Sequence, residues 1–213
     1  DGSAYDGGAV FGDDSRVAVT GCTFVGNTTD FGGGAYLINS IFEAEETTFV
    51  SNNVVTYGGA VFSMSSSINT ASSTFLGNTA TLGGGVLIVE SGMEADNTTF
   101  AGNSVTTSGG AIYLENSSVT TANGSYFVEN GATEYGGALH VAVNSYVLMS
   151  DTVVFERNTA AFGGAEFVQA SMFFVQGYVH FASNLADTSG GAVCGDHSDI
   201  NINDIAIFEK NWA

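Results

Sequence analysis

Apolar positions along this chain recur in short alternating runs and never at helical spacing. Within each stretch of 25 to 27 residues, three strand-like pieces follow one another. The first opens after a pair of glycines, as in Ala60-Val61-Phe62 and Ala111-Ile112-Tyr113-Leu114. The second alternates after a serine, as in Ser15-Arg16-Val17-Ala18-Val19 and Ser198-Asp199-Ile200-Asn201-Ile202. The third ends in phenylalanine, as in Thr47-Thr48-Phe49. Period-two alternation, β-branched residues and intervening turn residues predict strands throughout.

Two boxes mark the period. Glycine doublets stand at Gly7-Gly8, Gly33-Gly34, Gly58-Gly59, Gly84-Gly85, Gly109-Gly110, Gly136-Gly137, Gly163-Gly164 and Gly190-Gly191. Each is answered by a Phe-x-x-Asn box, from Phe24/Asn27 to Phe208/Asn211. A fixed period of this length means units that stack and cannot fold alone. Three strands and three corners in about 25 residues make one rung of a β-helix, and the crossover rule favours right-handed winding. The predicted fold is therefore all-β: a right-handed, single-stranded parallel β-helix of eight rungs filling residues 1–213 as one domain. With no polar cap recognisable at either end, the expectation is a piece of a longer array or a unit of an end-to-end assembly.

Local chemistry agrees. The chain has no proline, as a strand paired on both edges requires. Paired glycines suit a tight corner with positive φ or close backbone approach. Asparagine tolerates the left-handed region, and its amide can bond to its equivalents above and below.

Placing Phe inward puts Cys22, Thr47, Ser73, Thr98, Ser125, Val153, Val179 and Ala206 inward too, two residues earlier. After the glycine box, two successive columns are mostly apolar, so one of them must face out. The polar Glu166 marks its own column as the outer one, and Val10, Tyr36, Val61, Leu87, Ile112, Leu139 and Val193 are the candidate interface residues. Exposed apolar patches of that extent are rare on monomers. A second chain or a further segment is expected to cover this face.

Charge narrows the partners. Twenty-two acidic residues against three basic ones give a formal −19, which repels nucleic acid and anionic lipid. No run of 18 apolar residues occurs, so no membrane insertion is expected. Cys22 and Cys194 lie at opposite ends of the predicted stack, roughly 34 Å apart at ~4.8 Å per rung, far beyond disulfide reach. Sequons at Asn27, Asn97, Asn116 and Asn123 are candidate glycosylation sites and point to an extracellular or cell-surface protein.

Catalysis finds little material. Elimination from acidic polysaccharides needs a basic cleft and hydrolysis needs paired carboxylates, whereas the cations are only Arg16, Arg157 and Lys210. His140 and Glu166 lie on neighbouring rungs at positions of opposite parity, which predicts opposite faces. Asp196-His197-Ser198-Asp199 is the strongest remaining cluster and has no counterpart on adjacent rungs. No catalytic residue and no cofactor is expected. Asp13-Asp14 and Glu43/Glu45/Glu46 offer at most weak calcium attraction.

The pairing of Gly-Gly-Ala-[Ile/Leu/Val] with Phe-x-x-Asn, as in Gly7-Gly8-Ala9-Val10 with Phe24-Val25-Gly26-Asn27 and Gly109-Gly110-Ala111-Ile112 with Phe127-Val128-Glu129-Asn130, resembles the repeat of the chlamydial polymorphic outer-membrane proteins. The resemblance runs through all eight repeats, departing at Tyr36, Val86 and Glu166. It implies an extracellular, non-enzymatic β-helical element that serves structure or adhesion. From the apolar face and the open ends, the expected partners are further copies or other extracellular structural proteins, with glycans as a further class. The alternative is a β-helix that binds or modifies polysaccharide.

Overall fold

The computed structural model describes residues 3–122 and 124–213, with side chains described for residues 7–121 and 124–213. The chain winds as a parallel β-solenoid of about eight turns, and the described residues contain no helix. Three sheets run its length. Two have 8 strands each and the third has 13. In the second rung the chain passes through Thr28–Phe31 in the first sheet, Ala35–Ile38 in the second, and Ile41–Glu45 and Thr48–Val50 in the third. The three-stranded rung is thus present, but with a different partition from the expected one. The pieces after serine and before asparagine are two halves of one bent strand in the third sheet, and the first sheet is built from the residues between the asparagine and the glycines.

Parallel pairing aligns like residues with like. Phe24 pairs with Phe49, Phe49 with Phe75, and Phe75 with Phe100. Their rings stack with centroids 4.7 Å apart and planes within 10°, which is the strand spacing itself. Burying each ring contributes roughly 2–3 kcal/mol. Two residues before each Phe, Thr47, Ser73, Thr98, Ser125, Val153 and Val179 are buried, as period-two reading of the third strand predicts.

Beside the rings runs a ladder of asparagines. Nδ2 of Asn78 donates to Oδ1 of Asn103 at 3.0 Å and to the Phe49 carbonyl at 3.0 Å, while the Asn78 backbone N–H also donates to Asn103 Oδ1 at 3.0 Å. The same set recurs at Asn52, Asn103, Asn130, Asn158 and Asn184. Each amide thereby uses both donors and both acceptor positions while wholly or almost wholly buried. The expected left-handed asparagine is corrected here. Positive φ belongs to the residue just before it, such as Ser51, Gly77, Gly102 and Glu129, and this turns the asparagine inward.

A second ladder occupies the next corner. The Ser66 N–H donates to Ser91 Oγ at 2.9 Å, and Ser66 Oγ donates to the Met64 carbonyl at 2.8 Å. The third corner does the same with Thr47, Ser73, Thr98 and Ser125. Where Val153, Val179 and Ala206 replace the hydroxyls, nothing pins that corner. There the two half-strands fuse into the 11-residue strands Tyr146–Glu156, Met172–Ala182 and Asp199–Glu209.

The glycine corner divides its two tasks between its two residues. Positive φ falls on Gly7, Gly32, Gly58, Gly83, Gly109, Gly136, Gly163 and Gly190. The following glycine lies against the next rung, so that a Cβ on Gly33 would stand 2.5 Å from the Gly59 carbonyl oxygen. In the second and fourth rungs the structural doublet is therefore Gly32-Gly33 and Gly83-Gly84, with Gly34 and Gly85 in the alanine position. This moves the register by one residue relative to the sequence reading, because a Gly-Gly-Gly run hides which pair makes the turn. Five residues, rather than six, then lead from Asn27 to Gly32, and the first sheet shifts register between Thr29↔Val54 and Phe31↔Tyr57 to absorb the difference.

Two substitutions test this frame. Asn103→Ala orphans buried groups on both adjoining rungs and should lower unfolding free energy by roughly 3 kcal/mol, against less than about 0.5 for the outward Thr23→Ala, read from denaturant midpoints. Gly33→Ala meets backbone and should prevent assembly of the fold. Gly102→Ala, at positive φ with open space around it, should cost only about 1 kcal/mol in the same titration.

Candidate functional site

The register fixes which side of the second sheet is which. Val10, Ala35, Val61, Val86, Ile112, Leu139, Glu166 and Val193 form one paired column. It faces inward: Val61, Ile112 and Leu139 are fully buried, and Val10 and Val193 pack against the core from the terminal rungs. The predicted interface is corrected accordingly. Val10, Val61, Ile112, Leu139 and Val193 belong to the core, and only Tyr36 and Leu87 face outward, displaced by the register change described above. Glu166 misled the orientation because a carboxyl was assumed to mark the wet side.

The true outer column is Phe11, Tyr36, Phe62, Leu87, Tyr113, His140, Phe167 and Cys194. Its middle is not open to a partner. Residues just before the glycines fold over the corner onto it: Phe31 and Tyr57 contact Phe62 at 5.8 and 5.9 Å, and Tyr135 contacts Phe167 at 4.6 Å. Phe62, Leu87, His140 and Phe167 are buried in consequence. The strand is apolar on both faces because the chain itself covers the second face.

His140 sits within this stripe, ringed by Tyr113, Tyr135 and Phe167 at 5.0 to 5.6 Å. Neither ring nitrogen has a hydrogen-bond partner. Burial lowers its pKa from the ordinary 6.5 to about 4, so the imidazole is neutral at pH 7. Tyr113 is pushed up to about 12 by burial and then by Glu115 beside it. Glu166, on the following rung, points into the core with its carboxyl fully buried and its pKa raised well above the usual range. His140 and Glu166 thus lie on opposite faces, as their parity predicts, and form no dyad.

The remaining polar candidates are dispersed. His197 Nδ1 lies 2.6 Å from Asp196 Oδ1 on the surface. The Ser198 hydroxyl instead turns inward and donates to the Val168 and Asp196 carbonyls at 2.8 Å, completing the serine ladder. Asp199 and His197 line an open corner groove of about 610 Å³ with Asn144, Tyr146 and Met172. A second groove of about 380 Å³ carries Glu43, Glu45, Glu94 and Asp96. Glu43 there is held by Arg16 at 2.7 Å. Among the described residues no three His, Cys, Asp or Glu side chains converge to hold a metal ion. Arg157 and Lys210 are likewise exposed and paired with neighbouring glutamates, where solvent screens the contact. Cys22 and Cys194 are free thiols.

The sequons separate by parity. Asn27 is a ladder residue, and Thr29 of the same sequon is also buried, so this site is closed in the folded chain. Asn97 and Asn116 sit exposed at left-handed corners, with φ of 45° and 48°, and their sequon partners Thr99 and Ser118 face outward. Asn123 lies outside the described residues. Sequence reading missed the serine ladder and the folded-over aromatic stripe. The signal for the first was the invariable serine at one place in every repeat, and for the second the aromatics just before the glycines.

These features define a parallel β-solenoid whose buried Asn, Ser and Thr side chains serve the stack. A family model, the Chlamydia polymorphic membrane protein repeat, matches residues 97–115. That span holds Phe100, Asn103 and Gly109-Gly110-Ala111-Ile112, the same columns that build the other rungs. The chain is a β-helix, and the matched span is one of its repeats. No curated protein matches the chain, and no solved structure does.

The neutral imidazole gives a pH test. Because the folded pKa of His140 is depressed, its contribution to stability is complete above about pH 6.5 and is lost as pH falls towards 4. The loss should reach roughly 3 kcal/mol over that range. His140→Phe, matching Phe62 and Phe167 in the same column, should remove this acid-side decline from thermal unfolding curves measured at pH 4 to 7.

Proposed function

We propose that the chain is a non-enzymatic element of a cell-surface or extracellular protein, a rigid rod that holds an adhesive or assembly surface away from its anchor. The observation that carries this reading is the saturation of the Asn, Ser and Thr side chains in inter-rung ladders, which leaves shape and surface as what the fold offers. The repeat match supports surface association, since the matched family is by its description a membrane protein repeat.

The surface best suited to a partner is the outer face of the fused strands Tyr146–Glu156, Met172–Ala182 and Asp199–Glu209. There the loss of the hydroxyl corner lengthens the strands, and Tyr146, Met172, Ile205 and Ile207 stand exposed. Candidate partners are a further copy, another extracellular structural protein or a surface glycan. The acidic surface disfavours nucleic acid.

Beads coated with the purified chain should be retained on epithelial cell layers or on extracellular matrix. Retention should fall at least tenfold for Tyr146→Asp combined with Ile205→Asp, with the melting temperature unchanged. Equal retention of the double variant, or none by the parent chain on either surface, contradicts the proposal.

A further inference from the structure

Glu166 occupies a position that every other rung gives to Val, Ile, Leu or Ala. Its side chain is 0% exposed, and neither carboxyl oxygen has a hydrogen-bond partner. Its column neighbours are Leu139 and Val193, and the next inward residue on its own strand is Val168. Across the core, the third sheet presents Val147, Phe173 and Val175 at inward positions. No titratable or charged group among the described residues faces it. His140 on the rung before it and His180 on its own rung point outward, and Arg157 is on the surface. The asparagine ladder cannot donate to it either, because its amide hydrogens are already committed.

An ionised carboxylate at this place has no counter-charge and no protein donor. Strand Glu166–Gln169 is only four residues long, and in a solenoid each rung is held by its two neighbours alone, so one rung can open without the rest. We propose that the seventh rung is a pH-sensitive weak point of the rod: with its proton in place Glu166 completes the apolar column, and loss of that proton releases the strand Glu166–Gln169 from the second sheet. The rod is then held most firmly in acid, and the seventh rung opens more often as pH rises.

The sign follows from linkage. Burial raises the folded pKa of Glu166 above that of the open strand, so the closed state is fully favoured below the open-state pKa and loses ground as pH rises towards the folded value. Across that window the opening constant grows about tenfold per pH unit. Repulsion among the surface acids acts on all rungs, so comparison between rungs isolates the local term.

Hydrogen–deuterium exchange read by mass spectrometry at pH 5, 6, 7 and 8, normalised for intrinsic exchange rates, tests this in the intact chain. Peptides spanning Glu166–Gln169 should show an opening constant rising about tenfold per pH unit over part of this range. Peptides spanning Ile112–Glu115, the same strand two rungs earlier, should not. Glu166→Leu should flatten the response, and Glu166→Gln should flatten it too should the leucine variant fail to fold. Equal pH dependence in both rungs of the parent chain, or a rise that persists in a folded Glu166 variant, overturns the proposal.

Discussion

A buried asparagine amide carries two donors and an oxygen that accepts twice, and in this solenoid all of them are met by the rungs above and below. That constraint organises the rest. For Asn78 to reach both Asn103 Oδ1 and the Phe49 carbonyl, successive rungs must lie at strand spacing and in register. The same spacing lets the Phe rings stack at 4.7 to 5.0 Å. Register in turn requires a corner that never drifts, and the glycine pair supplies it by combining one left-handed turn with one close approach of backbone to backbone. Where a corner loses its ladder hydroxyl, at Val153 and Val179, strand pairing runs on through the positive-φ residues Asp151 and Gly177. The architecture changes at that corner and not at the others.

Hydrophobic pairing and hydrogen bonding therefore do different work. The Phe column and the inward aliphatics supply the larger apolar term. The ladders add little net energy per bond, since water competes for the same groups, yet an unmade bond among them is costly. They act mainly to exclude other registers, because slipping a strand by one residue would expose every Phe and orphan every amide.

The fold was legible because its signals repeat. Eight copies of Phe-x-x-Asn fixed the period, and alternation on either side of each Phe placed Thr47, Ser73 and Thr98 inward. What failed failed for local reasons. A run of three glycines cannot say which two turn, so Tyr36 and Leu87 were assigned to the wrong column. One carboxyl in an apolar column reads as the solvent side, yet desolvation can keep it protonated and buried, and Glu166 reversed the assignment of a whole sheet face. The partner inferred for that face was unnecessary, since Tyr57 and Tyr135 close over it from the preceding strand. The outer patch around Tyr146 and Ile205 was hidden for another reason. It arises from strand fusion, which depends on three missing hydroxyls and not on any motif.

The central claim is that the inward asparagines form one saturated, buried ladder that holds the rungs in register. Solvent exchange of the side-chain amide protons, resolved by NMR, reads this directly. The account predicts that Asn78, Asn103, Asn130 and Asn158 exchange as slowly as the most protected backbone amides, while the corner residues Asn97 and Asn144 exchange freely. Rapid exchange of the four ladder amides, at the rate of Asn97, would contradict it.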